Sequence, residues 1–325
     1  MNAEELDDII HLNIDKNKPT KKKNVFRVLT SFAVTLVILA ILVGAISAYS
    51  DEILTHPERR PITTHPGHYG LKYENVSFPS RIDHIRLSGW FIPAISSSNR
   101  TIIFAHGHAA NRVQADANLM SMFPTFVKHG YNILTFDFRD SGESGGTIDT
   151  VGYLEQRDLE GALDYMKSRP QGQHIGFLGF SMGAAVSILV AANEPSVEGV
   201  VADSSFADLQ QYLDANLSKY SYLPYFPFTP VMEWLIEPLT GFDPSMVQPI
   251  KSIARIAPRP ILLIHGEADR QISVDNSRQL FASAHNPNAQ LWTVPKANHI
   301  QSYNTDPVAY LDHVLTFFDK SLGKE

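Results

Sequence analysis

One pentapeptide constrains this chain more than any other stretch: Gly179-Phe180-Ser181-Met182-Gly183. It follows the apolar run His174-Ile175-Gly176-Phe177-Leu178 and leads into Ala184-Ala185-Val186-Ser187-Ile188-Leu189-Val190-Ala191. The run before it reads as a short buried strand. The run after it reads as a helix whose first turn holds small residues. Strand, G-x-S-x-G and helix in that order form the context of a nucleophile elbow, a turn so tight that residues on either side of the serine must lack bulk. The following helix aims its unpaired N–H groups and positive dipole end at the serine.

The 325 residues suffice for one large α/β domain and an additional segment. Cysteine is absent, which excludes disulfides, Cys-ligated zinc, iron–sulfur clusters and a thiol nucleophile. Between positions 28 and 50 there is no charged residue, and a run of about 20 apolar residues matches the hydrocarbon thickness of a bilayer. Lys16, Lys18, Lys21, Lys22, Lys23 and Arg27 precede this run, and Asp51 and Glu52 follow it. The spacing predicts a basic cytoplasmic tail over 1–27, a transmembrane helix over 28–50 and an extracytoplasmic bulk, so the cell membrane is the expected location. A cleaved signal peptide is the rival reading, with Ala45, Ser47, Ala48 and Ser50 as small cleavage-site residues. The apolar run is long for that, and a buried core helix would show a polar face.

Charge separates the parts further. Six basic and five acidic residues precede position 28, leaving 21 basic and 29 acidic residues in the remainder. An acidic domain without a basic cluster excludes nucleic acid as an expected partner. The lysine cluster suits anionic headgroups, so the lipid bilayer is the expected partner of the N-terminal segment.

Residues 51–70 contain Pro57, Pro61, Pro66, Gly67 and Gly70 and read as an extended linker, in which His56, His65 and His68 are scattered and solvated. From position 71 short apolar runs alternate with helical stretches. Runs at 76–78, 85–92, 101–105, 132–136, 175–178, 197–201, 261–264 and 291–294 predict eight strands, the first two antiparallel. Helices are expected over 116–128, 155–168 and 183–193. Continuous apolar strands alternating with helices imply a doubly wound, mostly parallel sheet buried on both faces, with active groups at the carboxyl ends of the strands. Residues 206–257 break the rhythm with a concentration of aromatic residues, among them Tyr212, Tyr220, Phe226 and Trp234, and with six prolines. The segment is too long for a simple loop and is expected to form a helical cap over the mouth of the site.

A serine hydroxyl needs a base, and the base needs an orienting acid. After an elbow the expected order is Ser, then Asp or Glu, then His. Asp269 follows the strand 261–264, and His299 follows the strand 291–294, so both fall on the sheet edge that carries Ser181. Asp203, just after the strand 197–201, is the competing acid. An oxyanion needs at least two preorganised donors. One is expected from the N–H of Met182, the other from the N–H of His108 in the loop His106-Gly107-His108-Ala109-Ala110-Asn111. No Asp-His pair lies nearby to make His106 and His108 part of a dinuclear metal site, and no cofactor or metal is expected. Asp137 and Arg139 are expected as structural partners in the loop 137–146. Glu155, Arg157 and Asp158 are expected as a solvated or loop-bracing face.

Together these residues resemble the α/β-hydrolase superfamily and, within it, membrane-anchored bacterial hydrolases related to the BEM46 group and the serine aminopeptidase-like domain. The likeness runs from about Tyr69 to the C-terminus. It is carried by Ser88-Gly89-Trp90-Phe91-Ile92-Pro93-Ala94, His106-Gly107-x-x-x-Asn111-Arg112, the loop 137–146, the elbow, Ala202-Asp203-Ser204-Ser205-Phe206, His265-Gly266-x-x-Asp269 and Ala297-Asn298-His299. The resemblance implies an eight-stranded α/β-hydrolase domain over 71–325 with a cap inserted at about 206–257. It also implies a Ser181–Asp269–His299 triad with a preformed oxyanion hole at Met182 and His108. Asp83-His84 stands where such proteins often have Asp-Gly, and Asp140 where a glycine is common.

The resulting expectation is a serine hydrolase acting on small or medium acyl substrates, esters above all, through an acyl-enzyme. A peptidase or amidase with the same triad is the alternative within enzymes. A non-catalytic, membrane-anchored domain binding a lipid or peptide is the alternative outside them.

Overall fold

The computed structural model describes residues 19–323. Positions 1–18, most of the expected basic tail, lie outside the described residues. The first element, α1, spans Pro19–Thr55. It is longer than the expected 28–50 at both ends, because the lysine-rich stretch before it and Asp51 to Thr55 after it continue the helical backbone. In its apolar window no residue is buried.

The eight strands are β1 (Glu74–Pro79), β2 (Arg86–Ile92), β3 (Arg100–Ala105), β4 (Asn132–Phe136), β5 (His174–Phe180), β6 (Val197–Asp203), β7 (Ile261–Gly266) and β8 (Ala289–Val294). They form one sheet in the order β1-β2-β4-β3-β5-β6-β7-β8. β1 and β2 run antiparallel to each other, and β2 is antiparallel to β4. All other pairings are parallel. The longer helices are α2 (Leu119–Lys128), α3 (Glu155–Lys167), α4 (Met182–Ala191), α5 (Leu209–Ser221), α6 (Tyr225–Thr240), α7 (Asp275–Ser283) and α8 (Pro307–Ser321). The expected doubly wound sheet is therefore present.

Alternation along the strands distributes side chains between two cores. On β3, Ile103 and Ala105 join Leu159, Phe177 and Ile188 beneath α3 and α4. Ile102 and Phe104 join Phe123, Phe126, Val314 and Phe318 beneath α2 and α8. Each fully buried side chain of this size contributes about 1.5–3 kcal/mol by leaving water, so the central strands are the most firmly held part of the molecule. A third, smaller cluster joins Ala185 and Leu189 of α4 to Phe206, Leu209, Ile236 and Phe242 of the inserted segment.

Two polar braces hold the loops at the strand ends. The buried Arg139 guanidinium donates to both Asp158 oxygens at 2.8 and 3.0 Å and to Asp83 at 2.8 Å. Arg112 donates through its backbone N–H and its Nε to Asp137 at 2.7 and 3.0 Å, and also pairs with Glu143. Glu155 and Asp158 are buried rather than solvated, so the bracing role is theirs. Asp140, the position where a glycine is common, has φ +52°. Its carboxylate accepts from Arg59 at 3.0 Å, which helps hold a backbone conformation unfavourable for a residue with a Cβ.

The segment 51–70 is not a free linker. Its first five residues complete α1, and Asn111 donates to the carbonyls of Arg60 and Pro61 at 3.0 and 3.2 Å. The inserted segment forms α5 and α6 followed by short turns, and α6 packs along α1.

Candidate active site

Ser181 lies between β5 and α4 with φ +54° and ψ −117°, a sparsely populated conformation for a side-chain-bearing residue. The surroundings impose it. A Cβ on Gly179 would overlap the Gly183 carbonyl, and one on Gly183 would overlap the Ala105 carbonyl. The Ser181 N–H donates to Asp203 O at 2.8 Å, which ties the turn to the end of β6. The pentapeptide is thus fixed from both neighbouring strands, and the serine is pushed out at the sheet edge.

The histidine and one of the two candidate acids converge on it. His299 Nε2 lies 2.9 Å from Ser181 Oγ, and His299 Nδ1 lies 2.7 Å from Asp269 Oδ2. With a carboxylate on Nδ1, that nitrogen carries the proton, and Nε2 is left to accept from the serine hydroxyl. The Asp269 side chain is fully buried, and Oδ1 accepts the N–H groups of Gln271 and Ile272 at 2.8 and 2.9 Å. Burial favours its protonated form. The donors from His265 and His299, the field of His299 and the Ile272 N–H outweigh burial and hold it well below the usual carboxylate range.

In the sequence His265 stands only within the motif His265-Gly266-x-x-Asp269. Its Nε2 lies 2.8 Å from Ile272 O and 3.2 Å from Asp269 Oδ2. Both neighbours are acceptors, so Nε2 carries the proton and Nδ1 accepts from Ser277 Oγ at 2.7 Å. His265 therefore positions Asp269 from the side opposite His299. The available signal was its spacing, four residues before the acid at the end of a buried strand.

Asp203 takes another place. Its Oδ1 accepts from Ser204 Oγ at 2.9 Å, and it does not pair with His299. Burial, opposed by the Ser204 hydroxyl, pushes its carboxyl up to about 6. Its backbone carbonyl, not its carboxylate, serves the elbow.

The loop after β3 lies against the serine. A Cβ on Gly107 would sit 3.4 Å from Ser181 Cβ. His106 braces the loop through Nδ1, 2.7 Å from Gly107 O, and through Nε2, which accepts the Phe138 N–H at 2.9 Å. Burial pulls the His106 imidazole below its ordinary value, in keeping with a neutral ring whose two nitrogens are both committed. The Gly107 N–H donates to Gln114 at 2.7 Å. Met182 opens α4, where the first N–H groups have no carbonyl one turn back.

His108 shows a contact that the sequence did not suggest. Its side chain donates through Nε2 to Leu54 O at 3.2 Å, and the Asp149 N–H donates to Thr55 O at 2.8 Å. The last carbonyls of α1 are thus satisfied by loops of the sheet domain. Ser181, His108, Met182 and His299 open into a cavity of about 620 Å³, of the size that holds a small organic ligand. Asp51, Leu54 and Thr55 of α1 form part of its wall, and Tyr212, Leu217 and Ile236 of the inserted segment cover it. Among the described residues, no group of three or more His, Asp or Glu side chains is arranged to hold a metal ion.

Known proteins resemble this arrangement at three levels. The uncharacterized protein YfhR of Escherichia coli (strain K12) is 30% identical over 239 residues, which are 71% of this chain and 75% of YfhR. The solved structure of the Pyrococcus furiosus esterase Pf2001 superposes with a TM-score of 0.70 at 28% identity, over 83% of this chain and 99% of that one. The lysophosphatidylserine lipase ABHD12 of Macaca fascicularis is 24% identical over 202 residues, which are 60% of this chain and only 48% of the lipase. The model of the prolyl oligopeptidase family matches residues 117–325, a span that contains Ser181, Asp269 and His299. The chain is an enzyme of the α/β-hydrolase superfamily and belongs to its prolyl oligopeptidase family.

Proposed function

We propose that this protein is a membrane-anchored serine hydrolase that cleaves ester or related acyl bonds with Ser181, His299 and Asp269. The observation that carries the reading is the unbroken relay from Asp269 Oδ2 through His299 to Ser181 Oγ, with contacts of 2.7 and 2.9 Å. Ser181 Oγ bonds to the acyl carbon while its proton passes to His299 Nε2. The negative oxygen is met by the N–H groups of Met182 and His108. The bond to the leaving alcohol then breaks, and the alcohol takes the proton from Nε2. Water attacks the acyl-serine, giving its proton to Nε2, and that proton returns to Ser181 Oγ as the acid departs. Asp269 stays ionised throughout and holds the imidazole in the required tautomer.

Esters are favoured over amides by the similarity to an esterase over most of both chains, and the apolar and aromatic side chains in the cavity wall suit an acyl group. The second reading, a peptidase, is favoured by the family match alone. A fluorophosphonate probe tests the nucleophile: the wild-type chain takes up the label and Ser181→Ala does not, and equal labelling of both would sink the proposal. A panel of esters, thioesters and aminoacyl amides then ranks the leaving groups, and turnover of the amides alone would favour the peptidase.

The anchor is part of the same proposal. α1 crosses the bilayer with its N-terminus in the cytoplasm, supported by the uncharged stretch 28–50 and the basic residues before it. Protease added to intact cells should then remove the hydrolase domain, whereas full protection would reverse the orientation.

A further inference from the structure

The segment between Tyr222 and Thr240 has an outer face made mostly of large apolar and aromatic side chains, with Glu237 as an exposed carboxylate among them. Tyr222 is 93% exposed, Phe226 79% and Trp234 73%, with Tyr225 and Leu239 exposed beside them. From position 220 to position 250 the sequence holds no lysine or arginine. Monomeric soluble proteins seldom expose large apolar side chains in such a cluster. The inner face of α6 is accounted for: Thr229, Met232 and Ile236, at helical spacing, are buried.

What covers the outer face follows from where α6 lies. It packs along α1, and α1 is half-buried or buried only toward its C-terminal end, at Val43, Gly44, Ser47, Ala48, Ser50, Asp51, Leu54 and Thr55. These positions recur every three or four residues and are mostly small, which lets two helices approach closely. The remaining circumference of α1 is apolar and open. Whatever surrounds the last apolar turns of α1 therefore also surrounds the outer face of α6. Tyrosine and tryptophan, with an apolar body and a polar tip, suit the headgroup level of a bilayer.

We infer that the outer face of α6 and of the turn leading into it, with Tyr222, Tyr225, Phe226, Trp234 and Leu239, is embedded in the phospholipid bilayer beside α1. The inference rests on the proposal that α1 spans the membrane. The inserted segment is then a second, in-plane membrane contact as well as a cover for the cavity. Ile236 lines the cavity from the same helix that carries Trp234, so the mouth of the site opens at the boundary between headgroups and acyl chains. An acyl donor already resident in the leaflet reaches Ser181 without crossing water.

The test uses the full chain reconstituted in phosphatidylcholine vesicles. Tryptophan fluorescence is measured with phosphatidylcholine brominated near the glycerol end, or near the methyl end, of its acyl chains. The component lost in Trp234→Phe should be quenched at least twofold, and more by the shallow bromines than by the deep ones. A chain that floats with the vesicles while this component stays unquenched overturns the inference and leaves the anchor standing. A chain that does not float overturns the anchor and the inference together. In a second measurement, Phe226→Ser combined with Trp234→Ser should leave hydrolysis of a short water-soluble ester unchanged. The same pair should lower hydrolysis of a vesicle-borne long-chain ester about tenfold, and equal loss on both substrates would also overturn the inference.

Discussion

The two sides of the cavity are built on different principles. Below it, the ends of β5, β6 and β7 hold Ser181, Asp203 and His265 in a dense, dry setting, where each hydrogen bond is within ordinary distance and the glycines have no room for a Cβ. Above it, α5 and α6 cover the site with aromatic side chains, several of which face outward. The lower side fixes atoms by close packing and hydrogen bonds. The upper side selects an environment. On the proposed function, chemistry falls to the part that packing over-determines, and selection of substrates to the part that covers the cavity.

That division can be broken at several points, with effects of decreasing size. Ser181→Ala should abolish ester hydrolysis, a loss on the order of 10⁴-fold or more in kcat, with the thermal unfolding midpoint nearly unchanged. Asp269→Asn should preserve the fold but remove the carboxylate that fixes the His299 tautomer, for a loss approaching 10⁴-fold in single-turnover rate. If Asp203→Asn gave the larger loss, the roles of the two acids would have to be exchanged. Gly183→Ala should cost about 3 kcal/mol of stability in denaturant titration, because the added methyl meets the Ala105 carbonyl and backbone must move. On the upper side, Tyr212→Ala should leave turnover of an acetyl ester within a few-fold. It should shift preference toward longer acyl chains by about tenfold in relative kcat/KM, as expected when a pocket wall is removed.

The smallest effect is on pH dependence, and its sign follows from His106. Burial favours its neutral form, so its contribution to stability is complete above the ordinary value of 6.5 and is lost as pH falls below it. The slope amounts to at most about 1.4 kcal/mol per pH unit. Glu155 acts oppositely: burial pushes it up to about 7, so it costs stability as pH rises through that value. The His106 contribution is therefore read by difference. The fall in unfolding midpoint between pH 7 and pH 5 should be shallower in His106→Gln than in the wild type, and parallel curves would exclude the role.

How far the sequence foretold each side follows from the same division. The strands, the elbow and the order of acid and histidine were legible because each depends on short local patterns. Apolar runs of strand length bury on both faces, and two glycines beside a serine have few uses other than a tight turn. The pairing of His299 with Asp269 instead of Asp203 was not fixed by order alone. It depends on which strand end lies beside the loop 297–300, a matter of sheet order. The role of His265 was hidden because its partners Ile272 and Ser277 come from a loop and a helix further on. The helical backbone of α1 runs past the expected transmembrane stretch for another reason. Charge marks where hydrocarbon stops, so the sequence ends the apolar stretch before Asp51, whereas the helix, packed on α6, continues to Thr55. Within 206–257 the frequent prolines obscure any helical period, and α6 has one because α1 and the domain give it a surface.

The bonds from His108 and Asp149 to the final carbonyls of α1 carry a consequence for geometry. A flexible 20-residue tether would let a domain range over about 25 Å from its anchoring point. Here the helix ends inside the wall of the cavity, and there is no slack to draw on. On the proposed topology the reactive serine is held at one altitude above the membrane, like a tool clamped to its bench. Substrates are then sorted by how deep their scissile bond sits before they are sorted by shape. Releasing the domain by cutting after Thr55 would not yield the same enzyme in solution, because the piece removed is part of the site.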